Sequence, residues 1–264
     1  MGRTVQEADD RMDPARAAAL HAALGLGGVV PAAGDPLPAF WHHIYFWDAQ
    51  PPEALGPDGH RSTGHGLIPD LGLPRRMWAG GRLTWHAPLL CGVRAEKTSQ
   101  VANITRKSGR SGELGFVTLR HTVRQRGGVV LTEDQDLVYR GPAPHAAKAP
   151  DPPGRPVEAQ IARFDETLLF RYSALTMNGH RIHYDADYAR GTEGYPGLVV
   201  HGPLLATLLM GLAARREGPL NRFEFRATAP LCLPETARLC ADGVGTYWIV
   251  GEDGRTCMVG STTA

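Results

Sequence analysis

Residues 172–185, Y-S-A-L-T-M-N-G-H-R-I-H-Y-D, lead into G-Y-P-G-L-V-V-H-G-P-L (194–204) and then an apolar run that reaches Ala214. Gly202-Pro203 is a helix start, and the run behind it is apolar on nearly every side. A helix without a polar face has to be enclosed, so this one is expected inside a wrapped sheet. Just upstream, an amide, two imidazoles and a carboxylate (Asn178, His180, His183, Asp185) fall within eight residues. Proton-moving side chains beside a helix N-terminus suit a reaction that develops an oxyanion.

Downstream, period-two alternation predicts strands in N-R-F-E-F-R-A-T-A-P-L-C-L-P, E-T-A-R-L-C-A-D-G-V and Y-W-I-V-G-E-D-G-R-T-C-M-V-G-S (221–261). Upstream of the polar motif, Leu168–Ser173 reads as a further strand. Residues 141–157 are proline-rich with almost no large apolar side chains, the composition of a linker. Before it, strands are predicted from Gly80 to Arg140, joined by G-R-S-G and R-G-G turns. A long polar loop, 49–77, precedes them; such loops are more often binding elements than filler. Residues 37–48 (L-P-A-F-W-H-H-I-Y-F-W-D) predict a buried helix of about three turns, with the aromatics as core. Residues 12–25, with Pro14 and Gly25 as punctuation, predict another helix. G-R-L-T-W-H-A-P-L-L-C (81–91) echoes N-R-F-E-F-R-A-T-A-P-L-C (221–232), which suggests a duplicated unit of helix followed by antiparallel sheet. The class is α+β. One half is expected over 1–140 and the other over 158–264, with their sheet edges paired and two chains forming a homodimer.

Composition narrows the function. A formal net charge of +1 over 264 residues gives no field for nucleic acid or an anionic membrane. No apolar stretch approaches a membrane span, and the N-terminus lacks the apolar core of a signal peptide. Cys91, Cys232, Cys240 and Cys257 have no metal-binding spacing and sit among apolar neighbours, as buried thiols do. A cytoplasmic protein is expected.

The polar motif resembles the signature of the MaoC-like, type 2 hydroxyacyl-thioester dehydratases. That signature runs Tyr-Ser, two free positions, Ser/Thr-Gly-Asp, one free position, Asn-Pro, an aliphatic residue, His, one free position, Asp. Tyr172, Thr176, Ile182, His183 and Asp185 match it; Asn178 replaces the catalytic Asp, Met177 replaces Gly, and His180-Arg181 replaces Asn-Pro. V-H-G-P-L (200–204) resembles the start of the family's central helix. L-P-A-F-W-H-H-I-Y-F, G-P-D-G-H, L-P-R-R-M-W-A-G-G-R, K-S-G-R-S-G-E-L-G-F-V-T and T-E-D-Q-D-L-V-Y-R extend the resemblance over most of the chain. They resemble a chemically mixed branch that includes mesaconyl-C4-CoA, methylfumaryl-CoA and itaconyl-CoA hydratases and mitochondrial-type 3-hydroxyacyl-thioester dehydratases. The resemblance implies a double hot-dog fold, two helix-wrapped antiparallel sheets in one chain, with the first half shaping an acyl pocket around a degenerate site. It also implies reversible hydration of an enoyl-CoA, with coenzyme A as part of the substrate and no other cofactor or metal.

In that reaction His183 would take the proton from water, and backbone N–H groups around Gly202 would hold the thioester enolate. Asn178 cannot titrate, so it can orient water but not replace a base. Two options stay open: His183 both removes and returns the proton, which is the favoured one, or His180 or Asp185 supplies a second group. Tyr172 is a positioning candidate. His201 is read as a structural imidazole bonded to backbone. Arg75, Arg76 or Arg82 could clamp a distal carboxylate, with Trp78, Gly80 and Val200 as further substrate contacts. Each arginine could equally be a solvated loop charge. Other readings are a straight-chain 3-hydroxyacyl-thioester dehydratase (on CoA or acyl carrier protein), a non-catalytic acyl-CoA binder, and an iron site made from His183, Asp185 and His201.

Overall fold

In the computed structural model, residues 4–64, 66–109, 112–141 and 149–262 are described. Among them, ten strands form one continuous antiparallel sheet. β1 (Val5–Asp10) and the helix α1 (Pro14–Ala23) come first, then β2 (Arg75–Trp85), β3 (Ala95–Gly109), β4 (Gly112–Gln125) and β5 (Gly128–Arg140). β6 (Glu158–Ala162) precedes α2 (Glu166–Thr176), the short α3 (Ala186–Gly191) and the long α4 (Gly202–Glu217). β7 (Arg222–Ala227), β8 (Ala237–Ala241), β9 (Thr246–Gly251) and β10 (Thr256–Ser261) close the chain. The order across the sheet is β1-β3-β4-β5-β2-β7-β10-β9-β8-β6, so β2 and β7 form the seam between an amino-terminal and a carboxy-terminal set of strands.

The two segments that echo each other in sequence contain the strands that meet at this seam. Gly80 pairs with Arg226 and Leu83 with Phe223, antiparallel. A Cβ at Gly80 would lie 2.4 Å from the Phe225 carbonyl oxygen, so only glycine allows the backbones to cross this closely. Leu83 and Phe223 are both fully buried and join the core around α4.

α4 behaves as its composition demands. Leu204, Leu205, Ala206, Leu209, Met210, Leu212 and Ala213 are all buried, and the helix lies against β7 through β10. It ends at Gly218, where φ is +83°. Each fully buried leucine contributes about 1.5–3 kcal/mol over exposure, which makes this helix the main apolar anchor of the second half.

Three segments differ from the sequence reading. Residues 168–173 are helical: Asp165 caps α2 by accepting the Leu168 N–H at 2.7 Å, and Met177 ends it with φ +52°. The strand preference of Leu, Phe and Tyr is overridden by this cap and by burial of Leu169 and Tyr172. Residues 37–48 form only a 3-10 turn at Trp41–Ile44, because Phe40 and Phe46 adopt φ +69° and +56° and the Asp10 carboxylate takes the Phe46 N–H. The aromatics still pack inward, apart from Trp47. The R-R-M-W-A-G-G-R segment is strand β2, where alternation sends Arg75 and Arg76 to opposite faces.

The amino-terminal strands therefore have no helix equivalent to α4 among the described residues. Against their inner face lie the turn at 41–44, through His42 and His43 on Glu133, and Leu67 and Leu71, which pack with Val117, Leu119, Leu137 and Tyr139. That face carries polar groups in register: Ser99 opposite His121, and His121 opposite Glu133. Glu133 is 2% exposed and accepts from His42 (2.9 Å) and His43 (3.0 Å), so both carboxylate oxygens are engaged. The four cysteines are buried and free. Residues 142–148 of the expected linker, and the Arg110-Ser111 part of the G-R-S-G turn, lie outside the described residues.

Candidate active site

Four imidazoles converge where α4 begins. His183 sits in a 3-10 turn (Arg181–His183), buried, with Nδ1 2.7 Å from the Val199 carbonyl. A carbonyl only accepts, so Nδ1 carries the hydrogen and Nε2 is left with its lone pair. Burial, the largest influence, lowers its pKa to about 3, and the ring is neutral at physiological pH. The His201 ring stacks on it at 3.6 Å with 19° between planes.

His201 is completely buried, and its Nε2 is 2.8 Å from the Ser173 hydroxyl on α2. Its partner is this side chain and not backbone. Tyr172 lies behind, with its ring 5.0 Å from that of His201 and its hydroxyl 3.4 Å from Thr207. Tyr172 thus supports His201 from the core.

Asn178 and His180 line the other side of His183. The Asn178 side-chain oxygen accepts the His180 N–H at 3.0 Å, an Asx turn that shapes the loop. The His180 ring is 5.5 Å from His183 and nearly perpendicular to it. Burial chiefly, then the charge of His60, pushes the His180 pKa down to about 3. His60 comes from the long first-half loop, and its ring lies 4.1 Å from His180. Asp58 lies 3.4 Å from His60, and the donor atoms of Asp58, His60 and His180 fall within 4.8 Å of one another. Burial alone would raise the Asp58 pKa, but hydrogen bonding and charge from His60 hold it well below the usual carboxylate range.

Asp185 does not join them. It caps α3 through the Tyr188 N–H (2.9 Å) and pairs with Arg181 at 2.7 Å, an i,i+4 pair on the outside. This removes it as a second proton carrier, and the His183–Asp185–His201 metal set is not assembled. Each of those imidazoles also has one ring nitrogen committed elsewhere.

The helix end has the expected form. His201 makes no side-chain cap, and Pro203 has no N–H, so the Gly202 and Leu204 N–H groups have no intrahelical partner. A Cβ on Gly202 would sit 3.9 Å from the Trp78 carbonyl, so β2 runs past this end of the helix. Two free N–H groups and the dipole of a 16-residue helix favour negative charge there.

The three arginines separate sharply. Arg82 forms a bidentate pair with Asp136 (2.6 and 3.0 Å), so its guanidinium is already committed. Arg75 reaches Glu193 (3.4 Å) and the Thr192 carbonyl. Arg76 is different: its Nη1 is buried with no hydrogen-bond partner, and its remaining contacts are a 3.5 Å approach to the Arg61 carbonyl and the Tyr139 side chain, neither of them acidic. Among the described residues no carboxylate lies within ion-pair distance of it. Arg76 faces Tyr139 across β2–β5, and its charge reaches His180. Trp78 donates its indole N–H to the Gly80 carbonyl, Gly80 serves the seam, and Val200 is 2% exposed with its N–H bonded to Leu231. These last two are packing positions. Asp58 and His60 are the site residues that sequence reasoning missed; their signal was the G-P-D-G-H stretch inside a loop already suspected of function.

A double hot-dog with buried imidazoles clustered beside an open helix N-terminus is the layout expected of a hydro-lyase of acyl thioesters. The chain belongs to the hydroxyacyl-thioester dehydratase type 2 family, which matches residues 40–233. It is 47% identical to the mesaconyl-C4-CoA hydratase of Chloroflexus aurantiacus over 98% of this chain and 94% of that protein. HtdX of Mycobacterium tuberculosis shares the fold with a TM-score of 0.70 at 18% identity, covering 98% of each chain. A second protein of that organism, described as a double hot-dog, has a TM-score of 0.57 at 15% identity, covering 98% of this chain and 94% of its own. The protein is an enzyme that adds water to, or removes it from, an acyl thioester.

Proposed function

We propose that this enzyme reversibly hydrates a short, branched dicarboxylic enoyl-CoA of the mesaconyl-C4-CoA type. The observation that carries the substrate class is Arg76. A buried guanidinium nitrogen without a partner costs about 1–3 kcal/mol or more, and a carboxylate is the group that relieves it best. Arg75 and Arg82 already have acidic partners and cannot serve in its place. The 47% identity to a mesaconyl-C4-CoA hydratase supports the same class.

The proposed chemistry follows from the side chains. With the thioester carbonyl against the first turn of α4, the Gly202 and Leu204 N–H groups stabilise the enolate oxygen. Water attacks the β-carbon while His183 Nε2 removes its proton. The Val199 carbonyl fixes the reactive tautomer, and the stacked His201, anchored by Ser173, fixes the ring plane. Coenzyme A enters as part of the substrate, and the residues present perform the proton transfers without a further cofactor. We place the enzyme in the cytoplasm as a homodimer. No helix among the described residues is long and apolar enough to cross a membrane, and β1 and β6 are open sheet edges.

The test compares kcat/KM for mesaconyl-C4-CoA and crotonyl-CoA with purified protein. A preference for the dicarboxylate of about tenfold or more is expected. A preference for crotonyl-CoA would replace this reading with a straight-chain acyl substrate.

A further inference from the structure

The pattern that this chain resembles has a carboxylate where Asn178 stands, so one proton carrier is missing from the second half. A carboxylate does reach the site, from the first half. The loop carrying it is docked on the hydratase loop through backbone. Arg181 N–H donates to the Asp58 carbonyl at 2.9 Å, and the Arg181 guanidinium donates to the Pro57 carbonyl at 3.2 Å. Gly59 has φ +83°, and a Cβ there would lie 2.0 Å from the Gly179 carbonyl oxygen; a Cβ at Gly179 would lie 2.8 Å from the Gly59 oxygen. Neither position admits a side chain. This contact sets His60 against His180, and Asp58 against His60.

We propose that His180 is a second catalytic proton carrier, and that Asp58 and His60 are positioning residues that hold its proton in place of the missing carboxylate. The proposal rests on the hydratase reading. In the hydration direction, the water oxygen bonds to the β-carbon and its proton goes to His183 Nε2. The π electrons of the double bond move to the enolate. The proton on His183 passes to the neutral His180 ring, and the α-carbon takes it from there as the enolate collapses. Both rings end neutral, as they began, and one water has been added. His60 and Asp58 face His180 from the loop, Arg76 from β2, and His183 and His201 from its own half. Of these, Asp58 alone favours a positive charge on the ring, which is why the docked loop matters.

The experiment uses the full chain with mesaconyl-C4-CoA and measures kcat and KM from pH 5 to 10, with thermal unfolding to check the fold. The variants are Asp58→Asn, His180→Asn, the pair together, and His180→Asn with Asn178→Asp. The first two should each lower kcat about 10–100-fold with KM little changed. The pair should be no worse than His180→Asn alone, because Asp58 acts through that ring. Restoring the family's carboxylate at 178 should recover about tenfold of the activity lost in His180→Asn. An Asp58→Asn enzyme with wild-type kcat and pH profile overturns the proposal. So does a stoichiometric metal in the wild-type protein that Asp58→Asn removes, since the cluster would then be an ion site. If His183→Ala is folded and fully active, the hydratase reading itself falls, and this proposal with it.

Discussion

Replacing Arg76 with methionine should move stability and activity in opposite directions. Methionine keeps the aliphatic stem beside Tyr139 and deletes the guanidinium. In the free enzyme one nitrogen of that group is buried without a partner, and the rest meets a carbonyl at 3.5 Å and the Tyr139 side chain, with no carboxylate. Its removal relieves a penalty of about 1–3 kcal/mol, partly offset by lost packing. A net gain of about 1 kcal/mol raises Tm by about 2–4 °C in a chain of this size. In the complex the same change leaves a substrate carboxylate unpaired. Truncating one partner of a desolvated ion pair costs about 2–5 kcal/mol, which is about 30- to 5,000-fold in kcat/KM for a dicarboxylic thioester. Crotonyl-CoA has no distal carboxylate and should be turned over as well as before, or better. Arg75→Ala and Arg82→Ala are the controls, expected within about threefold of wild type on both substrates because their partners are Glu193 and Asp136. Scanning calorimetry and steady-state hydration of the two thioesters give all the numbers. An equal loss of kcat/KM on both substrates, together with a lower Tm, would show that Arg76 only supports the fold.

Three further outcomes are expected. His183→Ala should lower kcat by about 10²–10⁴ while the far-UV spectrum and Tm stay near wild type; retained turnover would exclude His183 as the base. Gly59→Ala should destabilise by about 1–3 kcal/mol in urea and lower kcat, because a Cβ 2.0 Å from the Gly179 oxygen at φ +83° forces the two loops apart; unchanged kcat would show that the docked loop is dispensable. Stability should also fall on acidification from pH 7 to 4. Burial holds His43 and His121 at about 4, and His180 and His183 at about 3. All four lie below the ordinary 6.5, so the unfolded chain binds protons first and unfolding is favoured as pH drops through that window. A Tm that is flat between pH 7 and 4.5 would contradict this.

Much of the second half was legible in the sequence because its signals are local. Alternation in R-F-E-F-R-A marks β7, and the apolar run behind Gly202-Pro203 marks α4. His183 stands out as a candidate because its motif is contiguous. The errors arose where distant contacts decide local structure. Asp10, thirty-six positions away, turns the aromatic run out of a helix by taking the Phe46 N–H. Leu-Leu-Phe-Arg-Tyr has strand propensity, yet the Asp165 cap and a core-facing Leu169 and Tyr172 make it α2. No spacing rule distinguishes Arg76 from Arg82, because the partner of Arg82 is Asp136 on the neighbouring strand. Asp58 and His180 are 122 positions apart, and only the fold brings them together.

The asymmetry of the two halves explains why such polar groups gather at this site. In the second half, α4 fills the inner face of the sheet with leucine and alanine, which leaves room for chemistry only at its N-terminus. In the first half the corresponding face sets Ser99, His121, Glu133 and Gln135 beside the apolar Val117, Leu119, Leu137 and Tyr139, and an apolar helix would strand the polar row without partners. Irregular chain satisfies it instead: His42 and His43 engage Glu133, while His121 bridges Ser99 (2.7 Å) and Gln135 (3.1 Å). Freed from helical geometry, the loop that carries Asp58, Gly59 and His60 reaches the other half and meets the loop around His180. β2, at the seam, brings Arg76 to the same place. An apolar helix in the first half would have suited a hydrocarbon substrate wall; a polar floor with a reaching loop suits a small, charged one.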